Sequence, residues 1–486
     1  MKYWLLSTEG MPPKGGGIGS YIQITAQLFS EKGHEVTVFI HNIQEKAIRE
    51  EIAGGIRFVY FPYNIYDCKE VLGYHAHLSW SFAQLLDKYM KAEGVPDILE
   101  SQEYLGIAYY TLQYKLLLYP YFKQLRVVVT CHAPAFVYLE YNHYVTYELS
   151  TFWVGEMEKS VLASADLVIT PSRYIVQEIR KQTELENFKP IHVLNPIWQK
   201  TVSEKTIFTR GKLVCFGKMS RLKGSLQLLT YFKRIWEAGE KWTLEIIGGG
   251  HQLHVPENES MERLIKRQYK KYIDNGLLIL HGALDHKQAM AAINSAQVVI
   301  IPSLIDNLPY TVIESLQTGR VVLASKQGGH AEIIEDGKNG FLFDHHISLN
   351  FENRLRHILS LSDEEWHEVS GQAKESVSTI FDTEAIYEKK MDLLTGLMRR
   401  GENDIFPFTR AANSLNKEKT PEKQSPLVSV IIPYYNLSEF IEDAVKSALN
   451  SGIDDLEIII IDDGSTDLRS EKVLERMSKI RKVKVF

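Results

Sequence analysis

The chain has 486 residues, of which 44% are apolar and 24% charged, with a formal net charge of −6. That length is too great for one ordinary hydrophobic core, so two to four domains are expected. No overall cationic field argues for a nucleic-acid partner.

Three widely spaced cysteines, Cys68, Cys131 and Cys215, form neither a CxxC pattern nor a disulfide framework, which fits a reducing compartment. The N-terminal MKYWLLSTEG lacks the long apolar run and small-residue cleavage site of a signal peptide. No stretch approaches the ~20 apolar residues of a membrane-spanning helix. A cytoplasmic location is expected, and peripheral attachment to a membrane stays open.

Residues 3–7 (YWLLS) predict a first strand, followed by a glycine-rich loop and an amphipathic helix over 21–32 that Gly33 closes. Further strands are expected at 35–40, 57–60, 98–100, 126–130, 167–170 and 191–194. A second series covers 212–216, 242–247, 277–280, 298–301 and 321–324. Most are near-continuous apolar runs, as in parallel strands buried on both faces, and their alternation with helical patterns predicts a doubly wound α/β architecture. The two series meet at 195–208 (NPIWQKTVSEKTIF), where periodicity is lost, so a hinge is expected there. This divides the chain into an N-terminal domain over 1–195 and a second domain over 196–384. A helix over 385–400 is expected to pack back on the first. Polar residues 401–425 read as a linker. Residues 426–486 begin a fresh βαβαβ pattern, which resembles the first third of a larger domain because three strands bury little surface.

Three segments carry candidate chemistry. In PPKGGGIGSYIQI, Gly15, Gly16, Gly17 and Gly19 lie between strand and helix, either as a tight turn or as a loop that approaches an anion at the helix N-terminus. It is neither a Walker loop nor a GxGxxG in register. After strand KLVCFG come Lys218 and Lys223, which are either solvated surface lysines or a diphosphate-binding pair beside a helix beginning near Gly224 or Ser225. In SLIDNLPYTVIES, Asp306 and Glu314 flank a helix start near Pro309, with Asn307 as the expected N-cap. Those carboxylates could be an acid/base pair, a metal site, a capped helix with a surface Glu, or a ligand clamp. Paired histidines at ligand spacing do not accompany them, which argues against zinc.

Over residues 1–400 these segments, in order, resemble the retaining glycosyltransferases of family 4, with the GT-B fold of two facing Rossmann-like domains. GGGIGSYIQ and GHEVTVF are similar to that family's opening loop, helix and second strand. TCHAP, LVITPSRY and HVLNPI are similar to its later landmarks. FGKMSRLKG resembles GRLxxxKG with Lys218 for the usual Arg, and DNLPYTVIES with GGHAEII resembles the E-x7-E block with Asp306 for the first Glu. The resemblance implies a nucleotide-diphosphate sugar donor, UDP- or GDP-linked, a saccharide or glycoconjugate acceptor and no metal cofactor. It also implies that Glu314 bonds the donor ribose and Asp306 the donor sugar. The backbone at Asn307, Leu308 and Pro309 would then cradle the diphosphate, while Lys218 and Lys223 neutralise it. His132 would lie near the sugar, or else be a core histidine. Gly16 and Gly17 would let the first loop approach. Tyr, His and Trp in 60–150 either fill cores or stack on the acceptor.

The last segment, PLVSVIIPYYN and LEIIIIDDGSTD, resembles the start of a family 2 glycosyltransferase of the GT-A fold. By that resemblance Tyr435 and Asp463 contact the nucleotide base, and the divalent metal of a complete family 2 domain would be held by later residues. A GT-B epimerase or phosphorylase, or a catalytically silent nucleotide-sugar-binding module, is the rival reading.

Overall fold

The computed structural model describes residues 1–9, 16–63, 68–181, 188–198, 207–399, 426 and 428–486. The expected linker over 401–425 and part of the expected hinge lie outside the described residues. The chain divides into two compact units, Met1–Thr409 and Arg410–Phe486.

The first unit holds two sheets. One contains β1 (Lys2–Ser7), β2 (Glu35–His41), β3 (Arg49–Ala53), β4 (Ile56–Phe61), β5 (Ile98–Gln102), β6 (Val127–Thr130), β7 (Leu167–Thr170) and β8 (Ile191–His192). Their order is β3-β4-β2-β1-β5-β6-β7-β8. The second contains β9 (Thr209–Phe216) and β10 (Leu244–Ile247). After a small hairpin of β11 (Leu253–His254) and β12 (Glu259–Ser260), it adds β13 (Leu278–Gly282), β14 (Ala296–Ile301), β15 (Val321–Ser325) and β16 (Phe341–Phe343). The order there is β13-β10-β9-β14-β15-β16. All pairings in both sheets are parallel except β3 on β4. These are two Rossmann-like sheets of the GT-B fold.

The central strands are apolar along their whole length because helices cover both faces: β5, β6, β14 and β15 bury every residue. The antiparallel edge strand β3, REEIA, was not foreseen. All five of its residues are exposed, so it carries no apolar period to read, and its charges suit an unprotected sheet edge.

One apolar cluster runs through both sheets, joining Leu5 and Val128 to Val299, Ile301 and, on the helix Thr383–Met398, Leu394. That helix returns to the first sheet, where Lys390 pairs with Glu100 of β5 at 2.7 Å. In both sheets the strand order reverses beside the first strand, so ligand-accessible loops gather at the carboxyl ends of the strands.

The second unit has β17 (Val428–Tyr434), β18 (Leu456–Asp462) and β19 (Val483–Val485), all parallel. Helices Ile441–Leu449 and Leu468–Ser478 close a small core of Tyr434, Ile441, Ile458, Ile460 and Val473. The other sheet face is bare: Ile431 is 61% and Ile461 46% exposed. Among the described residues no helix is long and apolar enough to cross a membrane.

Candidate active site

The first loop leaves β1 at Ser7, and its helix, Gly17–Glu31, begins after Gly16, which has no side chain with which to cap it. Glu9 supplies the cap instead. Its Oε2 accepts from the amides of Gly16 at 2.8 Å and Gly19 at 2.7 Å, and a Cβ on Gly16 would come within 2.7 Å of Oε1. The helix N-terminus expected to offer free amides to an anion therefore already holds the chain's own carboxylate. Gly17 faces the opposite half, where its Cβ position lies 3.9 Å from the ring of Tyr310, the first residue of the helix Tyr310–Gln317.

Across from it, β9 ends at Phe216, and the helix Ser225–Glu237 starts after Gly224. Gly224 sits at φ +71°, and any Cβ would fall 1.8 Å from the Pro302 carbonyl, so only glycine fits this crossing of two loops. The crossing brings Lys223 to Asp306, Nζ to Oδ2 at 2.5 Å. Asp306 is 8% exposed. Burial works against its charge, but Lys223, His330 and the Ser303 hydroxyl hold its carboxyl below the ordinary range.

A cavity of about 240 Å³ between the sheets is lined by Gly16, Gly17, Lys218, Lys223, Asp306, Leu308 and Pro309, among others. A second, of about 540 Å³, shares Gly17, Lys218, Lys223, Asp306 and Leu308 and adds His132, Asn307, Tyr104 and Tyr138. Nine of the ten residues singled out in the first unit thus meet around two adjoining cavities. Glu314, half-buried on the helix Tyr310–Gln317, lines neither.

Asn307 is not the helix cap. The cap is Pro309, without a side-chain bond, and Pro309 has no amide to offer a phosphate. The Asn307 amide turns to the other half of the molecule, where Nδ2 donates to the carbonyls of Cys131 (3.1 Å) and His132 (2.8 Å) and Oδ1 accepts from the Ser172 hydroxyl (2.5 Å). Three acceptors and donors at fixed positions across the cleft outcompete one local amide.

His132 follows β6, with its ring 4.6 Å from that of Tyr21. Burial lowers its pKa to about 4, so the imidazole is neutral near pH 7. Its Nε2 is buried without a partner in the protein. Its backbone amide donates to Glu103 at 2.8 Å, and that of Ala133 donates to the same carboxylate at 2.5 Å. Glu103 is fully buried, and desolvation pushes its pKa up to about 7 against those amide bonds. Close by, Glu158 accepts from Leu105 N at 2.9 Å and Phe136 N at 3.2 Å, and burial together with Glu103 raises its pKa well above the carboxylate range.

Sequence reasoning did not single out Glu9, Glu103, Glu158, Glu100, Lys390 or Ser172. The available signal was a carboxylate just past the end of an apolar strand run, as in ILESQEYLG, where exposed loop composition would not need one.

Family models match three stretches. Residues 15–196 match Glycosyltransferase Family 4, 199–376 match Glycosyl transferases group 1, and 429–486 match Glycosyl transferase family 2. Residues 15–376 thus belong to glycosyltransferase families and have the GT-B fold, and residues 429–486 match family 2. Chondroitin synthase of Escherichia coli is 56% identical over 50 residues, 10% of this chain and 7% of that protein. An uncharacterized glycosyltransferase of Methanocaldococcus jannaschii is 25% identical over 235 residues, 46% of this chain and 56% of its own. The chain therefore spans less than two thirds of the length of either. The crystal structure of Anabaena HepE in complex with UDP and glucose shares the fold, with a TM-score of 0.58 at 16% identity over 81% of this chain and 99% of that one.

In the second unit, Tyr435 is 52% exposed. Asp463 follows β18, its amide donating to the Tyr434 carbonyl at 2.9 Å. The cavity of about 430 Å³ in that unit is lined by Asn436, Asp467 and Arg469 and their neighbours, not by Tyr435 or Asp463. Among the described residues no cluster of three His, Cys or carboxylate side chains could hold the metal that a complete family 2 domain needs.

Proposed function

We propose that the cleft of the first unit transfers a sugar, with retention and without a metal, from a nucleotide-diphosphate sugar to a saccharide or glycoconjugate acceptor. Residues 1–195 would form the acceptor half, 196–384 the donor half, and a UDP- or GDP-sugar the donor. The observation that carries this reading is the Lys223–Asp306 pair, which lines one cavity together with Lys218 and His132. HepE, which has the same fold, was crystallised with UDP and glucose.

Chemically, the bond from C1 of the sugar to the diphosphate oxygen breaks and a bond from C1 to an acceptor hydroxyl oxygen forms on the same face. The hydroxyl proton leaves on a phosphate oxygen. Negative charge grows on the diphosphate; Lys223, held by Asp306, and the exposed Lys218 are the cations assigned to it. Positive charge grows on the sugar ring, which a neutral His132 does not oppose and a charged one would. Asp306 bonds sugar hydroxyls, while Glu314 is assigned to the ribose. Pairing with Lys223 holds Asp306 as an acceptor at the pH of the reaction. Two halves closed over the cleft exclude the water that would hydrolyse the donor. A cytoplasmic site of action, where nucleotide sugars serve as donors, completes the reading; peripheral membrane contact would serve a lipid-borne acceptor.

The test is a panel of UDP-, GDP- and ADP-sugars with mono- and oligosaccharide acceptors, in chelator. Transfer with the anomeric configuration kept, abolished by Lys223→Ala, is the expected result. An isomerised donor would identify an epimerase instead. Donor binding with neither transfer nor hydrolysis would identify a silent module.

A further inference from the structure

Asn307 occupies a place that donor binding alone does not explain. It is 5% exposed, and the three hydrogen bonds of its side chain all end on loops of the other half: the carbonyls of Cys131 and His132 and the hydroxyl of Ser172. The peptide units on either side of His132 are therefore held from opposite sides of the cleft. Its N–H is taken by Glu103 of its own half, and its C=O by Asn307 of the facing half.

The loop that carries Asn307 is itself set tightly. Gly328, at φ +94°, and Gly329 lie flush beneath it, where a Cβ would meet Asp306 backbone atoms at 2.8 Å and the Asn307 carbonyl at 1.7 Å. Gly329 N also donates to Asp306 O at 2.8 Å. Next along that segment, Glu332 accepts from the amides of Arg173 (3.0 Å) and Tyr174 (2.7 Å), and Ser172 caps the same helix through Ile175 N. One continuous patch of the donor half grips one turn of the acceptor half.

We propose that Asn307 is an interdomain latch and a positioning residue: it fixes the His132 peptide only when the two halves are together, and it links that peptide to the ligand that engages Asp306. Because Asp306 and Asn307 are adjacent on one loop, a sugar bound to the first bears directly on the second. Closure and the placement of the His132 ring thus become one event. The inference rests on the transferase reading of the cleft for its catalytic consequence, but not for its mechanical one.

The mechanical part needs no substrate. Amide hydrogen exchange at His132 and Ala133, whose N–H groups bond Glu103, is expected to quicken at least about tenfold in Asn307→Ala of the full chain, as a lost buried hydrogen bond predicts. Unchanged exchange overturns the latch whether or not the protein is a transferase. The catalytic part uses whichever donor of the panel the wild type turns over. Asn307→Ala and Ser172→Ala are each expected to lower kcat about tenfold, with the affinity for the free nucleoside diphosphate changed less than about threefold, and the double variant is expected to match the worse single one. Asn307→Asp should lose more near pH 7, since a carboxylate faces two carbonyls, and should recover as the pH falls and its protonated form donates again. Losses that multiply in the double variant overturn the proposal. So does a weakened nucleotide affinity with kcat intact, which would make Asn307 a donor ligand. Wild type that neither transfers nor releases nucleotide counts against the transferase reading alone.

Discussion

Lys390 of the helix Thr383–Met398 and Glu100 of β5 form an ion pair of 2.7 Å with both side chains almost wholly out of water. Around them Lys390 donates to Tyr21 OH at 2.7 Å, Tyr21 OH donates to Glu100 at 2.5 Å, and Tyr3 OH bonds the same carboxylate. Burial opposes the Glu100 charge, but Lys390 and the two phenols hold its carboxyl below the ordinary range. Tyr21 in turn packs on the His132 ring. The pair thus staples the helix Thr383–Met398 to the floor of the cleft.

Removing one partner strands a buried charge. Lys390→Met is expected to cost about 3–5 kcal/mol, whereas Lys390→Met with Glu100→Gln should recover most of that. Urea unfolding of the three proteins, followed through the midpoint, measures both. If the single variant unfolds within 0.5 kcal/mol of wild type, with that margin taken from ordinary surface substitutions, the pair is not the staple described.

At the Lys223–Asp306 pair the expected losses are unequal. On the proposed reading Lys223→Ala would remove a cation from the leaving diphosphate, and it leaves the Asp306 carboxylate buried without that partner, so kcat should fall about 10²-fold or more. Asp306→Asn removes the charge but keeps a hydrogen-bonding group for the sugar, and should fall less. Steady-state kinetics rank them. Equal losses would mean that the pair acts only as a unit, with no separate contact to the diphosphate.

Much of this site was legible before the fold, because Lys218, Lys223 and Asp306 stand on loops that follow apolar strand runs, and a parallel sheet puts such loops on one side. What the sequence hid was partnership over distance. The Asn307 side chain bonds a carbonyl 175 residues away, so local rules made it a helix cap and were wrong. Strand β3 was missed because all five of its residues face water and show no period. Glu103 and Glu158 were missed because a buried carboxylate paid for by backbone amides leaves no charge pattern to read.

Glu103 and His132 couple stability to pH in opposite senses. Glu103 ionises at about 7 in the folded chain against about 4.5 in an unfolded one, so the native state holds more protons between those values. Its contribution to stability is complete below pH about 4.5 and is lost as the pH rises through about 7. His132, with its pKa lowered to about 4, acts in the opposite sense over nearly the same range: stability is present above about 6.5 and is lost as the pH falls toward 4. The two nearly cancel between about pH 4.5 and 6.5, so Glu103 is read from the difference between proteins: from pH 5 to 7 the melting temperature of Glu103→Gln should lack a downward component present in wild type, while its whole curve lies lower because the Gln amide must face one of two backbone N–H groups. An unchanged slope in Glu103→Gln would assign the titration elsewhere.

Glu9 offers the last test. Its Oε2 alone takes the amides of Gly16 and Gly19, so Glu9→Gln can keep both bonds through its remaining oxygen while removing a negative charge from the larger cavity. A diphosphate in the cleft would feel that charge as repulsion. Glu9→Gln is accordingly expected to bind UDP severalfold more tightly in low salt, with the difference shrinking as ionic strength rises. Glu9→Ala removes the cap as well and should cost about 1 kcal/mol of stability, seen as a lower melting temperature. Calorimetric titration with UDP separates the two contributions. If Glu9→Gln instead weakens UDP binding, the carboxylate is needed as an organiser of the glycine loop, and its charge is not a competitor of the phosphate.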